Sequence, residues 1–339
     1  MCSDGGGFAD KGLMIDTDET AQPFLPDDDE SLAWADGVET RATSPGQGPG
    51  PGQSPEPGQA GGMSRRRFLK CTGLAIGAAA VGGAVDALAI EPHWFKVTRH
   101  DIVVPNLPPK WDGATIAQIS DIHIGPHSTL AHAREIVDMC NDLKPDIIAL
   151  TGDYVSKADA ITQALVEVLR DLRAGVGKFA VLGNHDYWAD ARGVIASLRS
   201  AGIPLLKNSH RIAWRAGQPL CFAGVDDLFT GRADAARALA GVGREAARVL
   251  LCHNPDYAEQ LPAEPRVDLM LAGHTHGGQV VLPLIGPPVL PIKHRKYAAG
   301  LVSGPRCKVF VSRGLGMVGV PIRFNCRPEL PLITMKSYQ

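Results

Sequence analysis

Five short apolar runs in this chain stop at a histidine, an aspartate or both, and that repetition constrains the fold more than any bulk property. Ala114–Ser120 runs into Asp121-Ile122-His123, Asp146–Thr151 into Gly152-Asp153-Tyr154, and Lys178–Leu182 into Gly183-Asn184-His185-Asp186. Arg248–Cys252 then leads to His253, and Val267–Ala272 to Gly273-His274-Thr275-His276-Gly277-Gly278-Gln279. Short apolar runs bounded by glycine and polar residues read as buried strands. Helical patterns alternate with the first three, over Ser128–Leu143 with Ser128 or Thr129 as cap, about Asp159–Arg173, and about Asp190–Ala201. Such alternation implies a parallel sheet with helices against it, and ligands in such sheets gather at the carboxyl ends of the strands.

Beyond Pro204 the pattern turns to β. Strands are expected at Ile212–Trp214 and Pro219–Gly224, a short helix near Ala233–Ala240, and a strand-rich tail from Lys308 to Lys336. Phe95–Val104 alternates as an edge strand does. Parallel units followed by a strand-rich half predict an α/β fold of two sheets packed face to face with helices outside.

The polar groups at the strand ends suit metal binding. Alternate residues on an extended chain point the same way, so Asp-x-His and His-x-His each aim two side chains at one place. Mixed imidazole, carboxylate and amide donors favour Mn, Fe or Zn over calcium or a thiolate-bound ion. Seven ligands exceed the needs of one such ion and suit two that share a carboxylate, an arrangement that clamps a phosphoryl group.

Composition narrows the surroundings of that site. A formal net charge of -2 argues against a chain that coats nucleic acid. The seven cysteines form no Cys-x-x-Cys pair, which argues against structural zinc, and Cys307 and Cys326 read as buried free thiols, with pairing in an oxidising compartment as the alternative. Residues 1–62 are rich in Gly, Pro, Asp and Ser without hydrophobic period and are expected to be disordered, or to lie upstream of a true start at Met63. Ser64-Arg65-Arg66-Arg67-Phe68-Leu69-Lys70 before the apolar Cys71–Ile90 run looks like a twin-arginine export signal at 63–90, cleaved or kept as a membrane anchor. Residues 91–339 then form the folded domain, outside the cytoplasm and associated with the membrane.

The order Asp121-x-His123, Gly152-Asp153, Gly183-Asn184-His185-Asp186, His253 and Gly273-His274-x-His276 resembles the calcineurin-like metallophosphoesterase superfamily. The resemblance implies a four-layer αββα sandwich and a dinuclear hydrolase with two divalent metal ions. Carried over to this sequence, Asp121, His123, Asp153 and His276 would hold one metal, and Asp153, Asn184, His253 and His274 the other. His185 would be the catalytic imidazole, with Asp186 orienting its ring. A hydroxide activated by both metals would attack phosphorus. The Gly273–Gln279 stretch and the segments around Arg313 and Arg323 are similar to a branch of exported or membrane-associated bacterial phosphodiesterases that includes UDP-2,3-diacylglucosamine pyrophosphatases. That branch implies a phospholipid, lipid-linked diphosphate or other cell-envelope substrate, with His127, Arg313 and Arg323 as candidate substrate contacts. A phosphomonoesterase and a non-catalytic metal-binding module remain the alternatives.

Overall fold

The computed structural model describes residues 64–156 and 161–338, so the segment 1–62 expected to be disordered lies outside the described residues. The chain opens on helix α1 (Arg65–Val85), capped by the Ser64 side chain, and continues through one π turn (Asp86–Ile90) and one 3-10 turn (Glu91–His93). Strand β1 (Lys96–Val103) follows, and the expected βα repeat begins with β2 (Thr115–Ile119), α2 (Leu130–Asp142), β3 (Ile147–Leu150), α3 (Ile161–Arg170), β4 (Gly177–Ala180) and α4 (Asn184–Ser200). The second half holds β5 (Ser209–Arg215), β6 (Gln218–Gly224), α5 (Ala235–Ala238), β7 (Ala247–Leu251), β8 (Leu269–Ala272), β9 (Gly300–Ser303), β10 (Lys308–Val311) and β11 (Glu329–Lys336).

These strands make two mixed sheets, ordered β1-β11-β2-β3-β4 and β5-β6-β7-β8-β10-β9. The last strand inserts between the first two, parallel to β1 and antiparallel to β2. Residue alternation then sorts the core into layers. Ile116, Ile147, Ala149, Phe179 and Val181 from one sheet meet Leu220, Phe222, Val249, Leu251 and Leu271 from the other. The opposite face of the first sheet, through Ile119, Ile148, Leu150 and Leu182, packs on α2, α3 and α4. The outer face of the second, through Cys221, Leu250 and Met270, packs on α5 and the 3-10 turn Pro255–Gln260. The result is the four-layer αββα sandwich.

One local expectation differs. Helix α4, expected to start near Asp190, starts at Asn184, inside the motif, and is kinked at Asp190 (φ -161°, ψ 83°). Asp186, the third residue of that helix, accepts the N–H of Gly183 before it at 2.9 Å, which satisfies a donor that the helix itself cannot. Cys307 and Cys326 are free thiols, Cys326 buried and Cys307 partly so, as expected.

Candidate metal centre

All five strand ends converge at one edge of the sandwich. The loops after β2 and β3 run side by side, Asp121 N–H donating to Gly152 O (3.0 Å) and His123 N–H to Asp153 O (3.0 Å). The loop after β8 joins them, its His274 N–H donating to the Asp121 carboxylate at 3.0 Å. Beneath, the buried amide of Gln118 donates to Thr151 Oγ1 (3.0 Å) and to Ala272 O (2.8 Å), tying the two sheets together directly under the site.

The paired side chains do not converge by strand alternation. Asp121, His123, Asp153, His274 and His276 all have φ between 50° and 72°, the left-handed region that costs a non-glycine residue about 1 kcal/mol or more. The chain turns at each of these residues, and the turn swings the side chain inward. Close approach of the loops also requires glycine at two places. A Cβ on Gly183 would lie 2.2 Å from Asp153 Oδ1, and one on Gly273 would lie 1.9 Å from Ser120 Oγ.

The converging groups form three overlapping sets whose ligand atoms lie within 4.8 Å of one another: Asp121, His123 and His276; His123, Asp153 and His185; Asp153, His253 and His274. Hydrogen bonds fix which ring nitrogens face inward. His253 Nδ1 lies 2.8 Å from Thr151 O and His274 Nε2 lies 3.1 Å from Pro291 O. A carbonyl only accepts, so both rings donate there and present bare lone pairs at the other nitrogen. Those nitrogens face each other at 3.2 Å, and His253 Nε2 is 3.1 Å from Asp153 Oδ2. Three such atoms around one point call for a positive charge between them, a metal ion or, without one, a proton on His253. His123 repeats the pattern. Its Nδ1 meets Ser156 Oγ at 3.2 Å, and its Nε2 faces His276 Nε2 at 3.1 Å, with Asp121 Oδ1 3.5 Å from the latter. Asn184 Oδ1 is buried with no hydrogen-bond partner. The residues therefore fit metal ions.

Electrostatics point the same way. Burial holds the imidazoles of His123 and His274 down, to about 3 and about 4, and His276 well below its ordinary value, so their lone pairs are free at neutral pH. His253 differs: burial would lower it too, but the Asp153 carboxylate beside it pushes it up to about 10, so without an ion the ring holds a proton that a metal would displace. Asp153 is itself opposed by burial, yet His253 and then His123 hold it below the usual carboxylate range. Burial raises Asp121 to about 6.

His185 stands at the rim, half-buried. Its N–H donates to Asp153 Oδ1 (2.9 Å), and its ring lies edge-on between those of His123 and Trp188, each 4.7 Å away by centroid. Burial lowers its pKa. Asp186 does not serve that ring. Its carboxylate, fully buried and raised to about 7 by that burial, accepts the backbone N–H groups of Asp153, Tyr154, Val155 and Gly183. Helix geometry is the reason: at the third position of α4 its side chain turns back toward the helix start. Asp186 therefore fastens the Asp153 loop to the helix that carries Asn184 and His185.

The three tentative substrate contacts fare differently. Arg323 is fully buried, and its guanidinium donates to the carbonyls of Cys326 (2.9 Å), Arg313 (3.0 Å), Gly314 (3.3 Å) and Gly316 (2.7 Å). It cannot meet a substrate, because it is fully buried and its two terminal nitrogens hold the loop whose Gly316 N–H reaches back to Asp121 O. Arg323→Ala is expected to destabilise the fold by about 3 kcal/mol through the orphaned carbonyls, a fall in thermal midpoint of roughly 6–12 °C. Arg313→Ala should leave the melting curve nearly unchanged. Arg313 is half-buried, with Nε 3.9 Å from Glu329 Oε2, and lines a cavity of about 250 Å³ with Trp94, Lys96 and Arg327. His127 sits half-buried in the turn after His123 and belongs to none of the three sets.

Sequence reasoning passed over the groups that orient the ligands: Ser156, Gln118 and the carbonyls of Thr151 and Pro291. It also passed over two exposed aromatic rings, Trp188 against His185 and Phe229 at 5.3 Å from the ring of His274. Trp188 was within reach of a sequence argument, since it lies three residues beyond His185 on one helix face.

Fold and site define a calcineurin-like phosphoesterase: that family matches residues 114–278, and the chain belongs to it. Members typically use divalent metal ions, and the chain is a hydrolase of phosphoester bonds. It is 36% identical over 282 residues to an uncharacterised metallophosphoesterase, YkuE, of Bacillus subtilis, covering 81% of this chain and 98% of that one. It is 33% identical to the phosphodiesterase YaeI of Escherichia coli, over 80% of this chain and 99% of that one. It is also 28% identical to the UDP-2,3-diacylglucosamine pyrophosphatase LpxG of Chlamydia trachomatis, over 72% of this chain and 90% of that one.

Proposed function

We propose that the chain is a dinuclear metallophosphodiesterase or pyrophosphatase that acts on a lipid-bearing phosphoester at the outer face of the cytoplasmic membrane. The observation that carries the reading is the pair of facing imidazole sets, His123 with His276 and His253 with His274, both beside Asp153. In this reading Asp121, His123, Asp153 and His276 hold one divalent ion, and Asp153, Asn184, His253 and His274 hold the second. Bound there, the ions supply Lewis acidity toward phosphoryl oxygens and a water that ionises near neutral pH.

The protein's own groups do the rest. Ser156 and the carbonyls of Thr151 and Pro291 hold the imidazoles in the tautomers that binding needs. His185 offers its ring N–H to the phosphoryl group and gives a proton to the departing oxygen. Asp186 supports both by fixing the Asp153 loop and the start of α4.

A phosphodiester or diphosphate substrate is favoured by the Escherichia coli phosphodiesterase and the Chlamydia pyrophosphatase among the relatives. An acyl-bearing one is favoured by the exposed Trp188 and Phe229 at the rim, apolar surfaces set beside the most polar part of the molecule. Helix α1 is about 31 Å long at 1.5 Å per residue, long and apolar enough to cross a bilayer. Arg65, Arg66 and Arg67 at its start favour a cytoplasmic N-terminus, with the catalytic part across the membrane. We infer export by the twin-arginine route from the same arginines and Phe68-Leu69-Lys70. Matched chromogenic substrates test the reading: the metal-loaded protein should hydrolyse bis(4-nitrophenyl) phosphate and thymidine 5'-(4-nitrophenyl) phosphate in preference to 4-nitrophenyl phosphate. The reverse preference would make it a monoesterase, and no turnover of any would make it a binding module.

A further inference from the structure

We propose that the hairpin Leu282–Val289, with the Val318–Pro321 loop and the foot of α1, forms one apolar surface that inserts into the lipid bilayer beside the anchor. The hairpin is a tight turn, Leu282 N–H donating to Gly286 O (3.0 Å) and Gly286 N–H to Leu282 O (2.8 Å). Its tip is the most exposed apolar feature of the catalytic part, with Leu284 108% exposed, Ile285 73% and Val289 74%. Contiguous exposed aliphatic side chains, unlike scattered single ones, mark an interaction surface.

Continuity with α1 identifies the occupant. The base of the hairpin is pinned by Val281 N–H donating to Phe324 O (2.9 Å), and the next residue back, Arg323, donates its N–H to Ala87 O (3.0 Å) at the end of the membrane-length helix. Gln279 holds the other loop, its Nε2 donating to Val318 O (3.0 Å) and its Oε1 accepting from Val318 N (2.7 Å). Val320 in that loop and Leu88 and Ile90 at the helix foot are exposed as well. Three segments that are bonded in series thus present aliphatic side chains to solvent.

Charge gives a second, independent argument. Immediately after the hairpin the chain carries Lys293, His294, Arg295 and Lys296, all exposed, with Arg295 donating to Pro287 O within the hairpin. An apolar tip backed by cations matches acyl chains below an anionic headgroup layer. The surface also adjoins the site, because Pro291, at the end of the same segment, accepts from the His274 ring. Docking there sets the metal centre beside the bilayer surface, where an acyl-bearing phosphoester reaches it without leaving the membrane.

The inference rests on α1 as a retained anchor, and the test separates the two. The full chain, with Cys2, Cys71 and Cys307 changed to Ser, carries Leu284→Cys or, as control on the exposed face of α2, Glu135→Cys, each labelled with a nitrobenzoxadiazole probe. Both are reconstituted into vesicles of phosphatidylethanolamine and phosphatidylglycerol containing brominated lipid. The expected result is flotation of both proteins with the vesicles, and a blue-shifted, bromolipid-quenched probe at position 284 alone. Flotation without quenching at 284, or equal quenching at both positions, overturns the docking surface and leaves the anchor standing. A disulfide-linked dimer on oxidation of the unlabelled Leu284→Cys chain, with no lipid quenching of the labelled one, assigns the surface to a second copy and also overturns it. Failure of either protein to float overturns anchor and docking together.

Discussion

His185→Ala is expected to lower kcat toward a phosphodiester by about 10²–10⁴-fold while leaving bound metal unchanged. The ring stands at the rim, packed between His123 and Trp188, with only its backbone N–H engaged by Asp153. Removing it takes away a proton donor and a hydrogen bond to the phosphoryl group without touching the inward-facing nitrogens of the two imidazole pairs. The contrast to make is metal content by mass spectrometry against turnover on the same preparation. His185 shares a geometric set with His123 and Asp153, so it could also serve as a ligand. Loss of metal in step with activity would assign it that role and displace it from catalysis. An activity loss confined to substrates with poor leaving groups would locate its contribution at the departing oxygen.

Asp153→Asn should do the opposite and lose metal first. The two oxygens of Asp153 divide the work, Oδ2 facing His253 at 3.1 Å and His123 at 3.5 Å, and Oδ1 accepting the His185 N–H at 2.9 Å. The amide keeps the shape and removes the negative charge that both proposed cation positions would share. Affinity should fall by more than the roughly 10–100-fold typical of outer-shell changes, and turnover with it. Because the loop is still held by Asp186, circular dichroism and the melting curve of the metal-free protein should change little. A variant that keeps both ions would show that Asp153 does not bridge them.

The difference between what was legible in the sequence and what was not follows from locality. The strand ends were legible because each polar group directly follows its own apolar run, so both the strand and the place where it stops are written in adjacent residues. The face-to-face sheets followed from the change beyond Pro204 from strand-helix units to a strand-rich half. The insertion of β11 between β1 and β2 was not legible, since it joins Lys96 to Glu329 across most of the chain and leaves no local mark. Asp186 was misread because a carboxylate beside a histidine has the same sequence whether it turns to the ring or back to the helix start. Helix α4 begins within the motif, and that decides the matter. Arg323 was misread for a related reason: arginine among prolines near a phosphate site suggests a surface fork, and only the folded chain reveals four backbone carbonyls gathered round it. The convergence of Asp121 with His123 was anticipated, but through left-handed turns and not through an extended strand.

The central claim is that the two imidazole pairs around Asp153 hold two divalent ions that the hydrolysis requires. The direct measurement is inductively coupled plasma mass spectrometry of the full chain, with bis(4-nitrophenyl) phosphate turnover followed before chelation, after it, and after stepwise return of Mn, Fe or Zn. The expected result is close to two ions per chain, loss of turnover on chelation, and recovery that completes only as the second equivalent is added. Full activity at one ion per chain, or turnover that survives complete removal of metal, would contradict it.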